Sequence, residues 1–130
     1  MKVAITAKKN NLESEIDPRF GRCSYFLIID LDSMNFESIS NKSAMTSGGA
    51  GIQAAQTISK TGVKVLLTGN IGPNAFQTLS AAGIKVFTGA YGNIKDALNK
   101  FKKGELKQSE NASVGSHFGV DSTTKGIERV

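Results

Sequence analysis

The sequence is short of the groups on which much protein chemistry depends. Its 130 residues include one cysteine, Cys23, and one histidine, His117. A lone thiol closes no internal disulfide and supplies no cysteine-only zinc site, and it agrees with a reducing compartment. A hydrolytic triad needs an imidazole beside its nucleophile, whereas His117 stands in a polar C-terminal stretch, where an imidazole is ordinarily just solvated. No Gly-Lys-Ser/Thr sequence occurs, which excludes a P-loop. No apolar run is long enough to span a bilayer, and the opening MKVAITAKKN lacks the apolar length and cleavage-type sequence of a secretory signal. These gaps predict a soluble, cytoplasmic protein. One domain of this length buries roughly two-thirds of the surface that its unfolded chain exposes, so it needs no staples.

What is present is organised around residues 47–87, which read as loop, helix, strand, loop, helix, strand. Gly48, Gly49 and Gly51 open the first helix and Gly62 closes it. The nearly unbroken apolar run at 63–68 suits a strand buried on both faces. The pattern then repeats: Gly69-Asn70-Ile71-Gly72 turns the chain, Pro73 stands at the first helical position, and Gly83 ends the helix before a strand at 84–87. This order predicts a parallel α/β layer.

Ahead of it, residues 2–7 alternate as a central first strand, 25–30 form a second, and 36–40 a third, paired antiparallel with the second across a turn at 32–35. The polar segment 8–24 is too long for a hairpin turn and is expected to be a functional loop or an ordered excursion. After the central stretch, Thr88-Gly89-Ala90-Tyr91-Gly92 makes a third glycine-bearing loop. Asn93 then caps a helix whose Ile94, Ala97, Leu98 and Phe101 fall on one face. Gly104 stops that helix. Residues 1–104 are therefore expected to form the domain, and 105–130 a polar, mobile tail. Right-handed crossovers bring the loop after strand one and the three glycine loops to the carboxyl edge of the sheet, where α/β proteins bind ligands.

Net charge is +5, with 13 basic against 7 acidic residues through Lys103 and 3 against 4 after it. That balance favours an anionic partner, and lysines spread over solvated faces give the same count. Gly49-Ala-Gly51-Ile-Gln-Ala54 matches a dinucleotide fingerprint by letters, but it does not follow the first strand and no acid answers it in 60–68. What survives is a glycine-opened helix start, able to hold an anion through free N–H groups or serving only as a tight, close-packed turn. Metal-dependent nuclease chemistry needs carboxylates at strand ends, and here those ends read Thr6-Ala7 and Thr68-Gly69. Asp17-Pro18-Arg19-Phe20-Gly21-Arg22-Cys23 is the densest chemical segment. Arg19 and Arg22 suit multivalent anions and would lower the pKa of Cys23 toward a metal-binding thiolate, the alternative being a small buried thiol. Met34 and Met45 are soft donors too, though methionine more commonly fills gaps in a core.

Together, the N-terminal strand, the D-x-R-F-G-R segment at 17–22, Ser-Gly-Gly-Ala-Gly at 47–51 and Thr-Gly-Asn-Ile-Gly-Pro-Asn-Ala at 68–75 resemble the dinitrogenase iron-molybdenum cofactor biosynthesis family. The likeness runs from about Lys2 to Phe101. It implies a ribonuclease-H-like, three-layer α/β/α fold with a mixed five-stranded sheet, order 3-2-1-4-5 and strand two antiparallel, without the nuclease carboxylates. It also implies a non-enzymatic carrier of an anionic metal-sulfur cluster or related oxyanion or thiometallate, such as an iron-molybdenum or molybdenum-copper sulfide cluster. Some members have a His implicated after the Phe-Gly of the first loop. Here that position is Arg22, which leaves Cys23 as the candidate metal ligand. Arg19, Arg22, Gly48, Gly49, Gly51, Gly69, Asn70, Gly72 and Gly89 are the candidates for the rest of the binding site. The rival reading is an interaction or regulatory module that binds no cluster itself and partners an iron-sulfur assembly ATPase. Neither reading involves nucleic acid or a membrane.

Overall fold

A computed structural model of the chain describes residues 1–45 and 48–113. Ser47, His117 and the rest of 114–130 lie outside the described residues.

The strands are β1 (Lys2–Ala7), β2 (Tyr25–Asp30), β3 (Phe36–Ser40), β4 (Val65–Leu67) and β5 (Lys85–Phe87), and the helices are α1 (Ala50–Ser59), α2 (Pro73–Ala81) and α3 (Ile94–Lys102). A 3-10 turn at Lys42–Met45 leads toward α1. The sheet has the order β3-β2-β1-β4-β5. β1 pairs antiparallel with β2 and parallel with β4, β2 pairs antiparallel with β3, and β4 pairs parallel with β5. This is the expected ribonuclease-H-like frame. β4 is shorter than the apolar run 63–68, yet strand-like bonds continue past both ends: Lys64 donates to the Lys2 carbonyl and Thr68 to that of Phe87.

Two apolar clusters explain why β1 and β4 carry so little polarity. Ala4, Phe26, Ile28, Leu66 and Val86 pack with Ala54, Ala55 and Ile58 of α1 and with Ala75 and Leu79 of α2. On the other face Val3, Ile5, Leu27, Ile29, Val65 and Leu67 pack with Ile94, Ala97 and Leu98 of α3. Successive strand residues point to opposite faces, so a central strand sandwiched by helices needs apolar residues at both parities. The result is three layers, α1 and α2 on one side of the sheet and α3 on the other.

The segment expected to be a mobile tail departs from that expectation over 105–113. Leu106 packs on the α3-side cluster. Gln108 bridges Phe87 on the outer edge of β5, and the Ser109 amide donates to the Val86 carbonyl at 2.8 Å. Ser113 reaches Ile71, beside the start of α2. Composition misleads here because these contacts are made by serine hydroxyls and backbone, which leave no apolar periodicity to read.

Candidate functional site

The first loop is an ordered excursion that ties the carboxyl edge together. Asp17 donates its amide to the Thr6 carbonyl and Ile16 to that of Gly92. Glu15 bridges Asn93, and Ala7 bridges Ile16. Arg19 lies in a parallel bridge with Asn70, whose amide donates to Pro18 O at 2.8 Å and whose carbonyl accepts from Phe20. Gly89 in turn donates to Gly69 O. One loop therefore touches the end of β1, the β4–α2 loop and the β5–α3 loop.

The close approaches need glycine. A Cβ on Gly69 would stand 2.7 Å from Pro18 Cα, and one on Gly21 would stand 3.0 Å from Gly51 Cα and N. Gly69 thus serves the packing of two loops against each other. Gly49 and Gly89 have φ of 73° and 81°, the left-handed region that favours glycine. A Cβ on Gly48 would meet nothing within 4 Å. Gly89 also lines a shallow hollow with Tyr91 and Lys100, on the α3 side of the edge.

Beneath the loop, at the ends of β1 and β4, the Thr6 hydroxyl donates to Asp17 O at 2.6 Å and lies 3.0 Å from the Thr68 hydroxyl. Both residues are fully buried. The strand ends are thereby closed by neutral hydroxyls bonded inward.

On the α1 and α2 side, two helix N-termini lie next to each other: a Cβ on Gly51 would be 3.4 Å from Ala75 Cβ. Gly49 caps α1 and Gly72 caps α2, neither helix has a side-chain cap, and neither carries an acid in its first turn. α3 differs, since Asn93 accepts from the Lys95 amide and Asp96 stands in the first turn. The first-turn amides of Ala50, Gly51 and Ile52, and of Asn74 and Ala75, have no intrahelical acceptors, because α-helical bonds begin at the fifth residue. Each terminus carries about half a positive charge, so the pair amounts to about one.

The two arginines flank this pair from the loop. Arg19 follows the backbone of Asn70 ahead of α2, and its Nε lies 3.4 Å from the buried Asp17 carboxylate with its own side chain 55% exposed. Arg22 donates from Nη1 to Ala44 O at 2.6 Å, next to the chain that enters α1.

Cys23 is placed differently from the expectation of a thiolate ligand. It is fully buried among Phe20, Phe26 and the α1-side core. Its Sγ donates to Phe20 O at 3.3 Å, and Asn41 Nδ2 lies 3.8 Å from the sulfur while bonding the Cys23 and Gly21 carbonyls. Burial, and then the Asp17 charge, push the thiol far above its ordinary value; the lowering by Arg19 is the smallest influence on it. Desolvation outweighs a partly exposed guanidinium. Cys23 is a protonated core thiol that braces the loop.

The chain's remaining sulfurs are three methionines. Met34 packs on the α3-side cluster and its Sδ lies 3.8 Å from Lys102 Nζ. Met1 precedes β1 at the opposite edge, its ammonium paired with Asp32. Met45 fills no gap: it is 92% exposed, at the end of the 3-10 turn leading to α1. Among the described residues no cluster of three or more His, Cys, Asp or Glu is arranged to hold a metal ion.

The family model for the dinitrogenase iron-molybdenum cofactor matches residues 1–104. The chain belongs to that family. Among solved structures it is similar to the apo form of the orange protein from Desulfovibrio gigas, with 40% identity and a TM-score of 0.84, covering 87% of this chain and 96% of that one. It is also similar to a NifB-like protein from Thermotoga, with 36% identity and a TM-score of 0.72 over 82% of this chain and 91% of that one. A dinitrogenase-type protein from Methanocaldococcus jannaschii shares 25% identity at a TM-score of 0.64, over 85% of this chain and 96% of that one. No curated protein matches the chain. Among the described residues no helix is long and apolar enough to cross a membrane.

Proposed function

We propose that this family member is a non-enzymatic carrier that holds an anionic metal-sulfur species at the carboxyl edge of its sheet. The observation that supports this most directly is the pair of adjoining helix starts, both without side-chain caps or first-turn acids, in a chain whose third helix is capped by its own asparagine. Sulfide or oxo groups of a thiometallate, or of a molybdenum-containing sulfide cluster, accept hydrogen bonds as phosphate oxygens do, and such termini favour anions. Arg19 and Arg22 add guanidinium groups on either flank, that of Arg19 offset in part by the Asp17 carboxylate it pairs with, and the strand ends themselves carry the neutral Thr6 and Thr68. Cys23 has no place among the ligands in this reading.

Family membership supports a cofactor-related role, and the orange protein that the chain is similar to was solved as an apo form. An iron-sulfur assembly ATPase remains the partner of the rival reading, an adaptor that binds no cluster itself, and the cytoplasm is the compartment in which a free thiol persists. Titration with tetrathiomolybdate under anaerobic conditions, followed by amide shifts, tests the reading. Saturable shifts at 49–52 and 72–75 are expected. Shifts confined to the opposite edge of the sheet, or none, would sink it.

A further inference from the structure

The family match ends at residue 104, and residues 105–113 are the part of the described chain that the carrier reading leaves unused. Besides Leu106 in the α3-side cluster and the Gln108 bridge to Phe87, two serines hydrogen-bond them to the domain. Ser109 bonds the outer edge of β5, its amide donating to Val86 O and its hydroxyl accepting from the Thr88 amide at 3.2 Å. Ser113 bonds Ile71 three times: its hydroxyl accepts from the Ile71 amide at 2.8 Å and donates to the Ile71 carbonyl at 3.3 Å, and its own amide donates to that carbonyl at 3.0 Å.

The second fastening matters because of where Ile71 stands. It immediately precedes Gly72, the N-cap of α2, so its backbone sets the direction in which the first-turn amides of Asn74 and Ala75 point. Its side chain is buried in the α1-side core, and both of its backbone polar groups go to Ser113. The turn itself has little stiffness of its own, since it begins and ends in glycine, Gly69 and Gly72. Asn70 is held by Pro18 and Phe20, and Ile71 is held by Ser113.

We propose that Ser113 is a positioning residue of the ligand edge, which fixes through Ile71 the turn that opens α2, so that the segment 105–113 belongs to the carrier site rather than to a tail. Resting on the carrier reading, this adds to it a component from beyond the family match. It also links the start of α2 to the outer edge of β5, because Ser109 and Ser113 are four residues apart on one segment. An event that pulls this segment from β5 loosens the helix start that faces the anion.

The test uses the full chain with Ser113→Ala and Ser113→Thr. Alanine keeps the backbone bond to Ile71 O and removes the hydroxyl; threonine restores a hydroxyl. Two readouts are taken, amide exchange at Ile71, Asn74 and Ala75 relative to the core amides of Leu66 and Ile58, and affinity for tetrathiomolybdate. Ser113→Ala is expected to speed exchange selectively at the α2 start and to weaken the probe about fivefold, the worth of the hydroxyl's bond to the Ile71 amide, with both effects reversed by threonine. Exchange that is unchanged, or raised uniformly through the core, overturns the positioning role. Selective loosening with unchanged affinity overturns the assignment of the segment to the site. A wild-type chain that binds no probe sinks the carrier reading instead, and the exchange arm still decides whether Ser113 fixes the turn.

Discussion

Gly69 and Pro18 meet backbone to backbone, so closely that a methyl group on Gly69 would sit 2.7 Å from Pro18 Cα and 2.9 Å from its carbonyl oxygen. Neither neighbour is a flexible side-chain end that can swing aside. This contact seats the first loop on the β4–α2 turn, and every loop-borne candidate residue depends on it.

Gly69→Ala is therefore expected to destabilise the fold by about 2 kcal/mol, in the range of overpacking a well-filled site. Gly48→Ala, with open space around the new Cβ, is the matched control and should leave the denaturation midpoint where it is. Equal midpoints for the two variants in urea would show that the loop rides on the turn without needing close contact.

Cys23 gives a prediction with a sign. The folded chain holds the thiol proton above the ordinary value, while the unfolded chain releases it near about 8.5. Stability is thus fully present below that pH and falls as pH rises beyond it, by at most about 1.4 kcal/mol per pH unit from this one group. Urea midpoints between pH 8 and 10 should drop more steeply in the wild type than in Cys23→Ala, which removes this contribution. In the same preparations a thiol reagent should label Cys23 only on unfolding, and Cys23→Ser should keep whatever metal the wild type takes up in anaerobic reconstitution.

Arg19→Gln and Arg22→Gln should each weaken tetrathiomolybdate binding, more at low ionic strength than at high. Exposed charges are screened over about 10 Å at 0.1 M salt, so the difference between wild type and variant should shrink as salt is added. A loss of affinity that ignores salt would mean that the variants act through the Asp17 or Ala44 contacts instead.

Truncation after Ser113 is expected to leave cooperative unfolding intact. Truncation after Gly104 removes Leu106 from its cluster and strips the outer edge of β5, and should lower stability by about 2 kcal/mol or more. The bared edge is a template for pairing with another chain, so the shorter form should also associate with rising concentration in sedimentation runs. Identical stability of the two truncated chains would place the end of the folded unit at 104 after all.

The contrast between these elements shows what a sequence carries. β1, β2 and β3 are legible to the residue because alternation and turn residues are local signals. The loop 8–24 announces itself by length, but its bonds from Ile16 to Gly92 and from Phe20 to Asn70 join residues far apart and leave no pattern along the chain. Cys23 misleads for a related reason: the arginines beside it in sequence are visible, and the burial and the Asn41 amide that enclose it are not. Ser109 and Ser113 are hidden because hydroxyls that bond a neighbouring backbone look, in a sequence, like hydroxyls bonded to water.

The Thr6–Thr68 pair has a consequence for a sulfide-bearing cargo in particular. Metal-bound sulfide is acid-labile, so the groups that endanger it are proton donors of moderate acidity. At the ends of β1 and β4 the fold sets two alcohols, which hold their protons across the whole range of water, and their hydroxyls engage each other and the Asp17 carbonyl. The buried Cys23 thiol is likewise held protonated well above its ordinary range. In the proposed carrier, strand ends of this kind, buried under the first loop, would add no acidic side chain of their own to the neighbourhood of a metal-sulfur species.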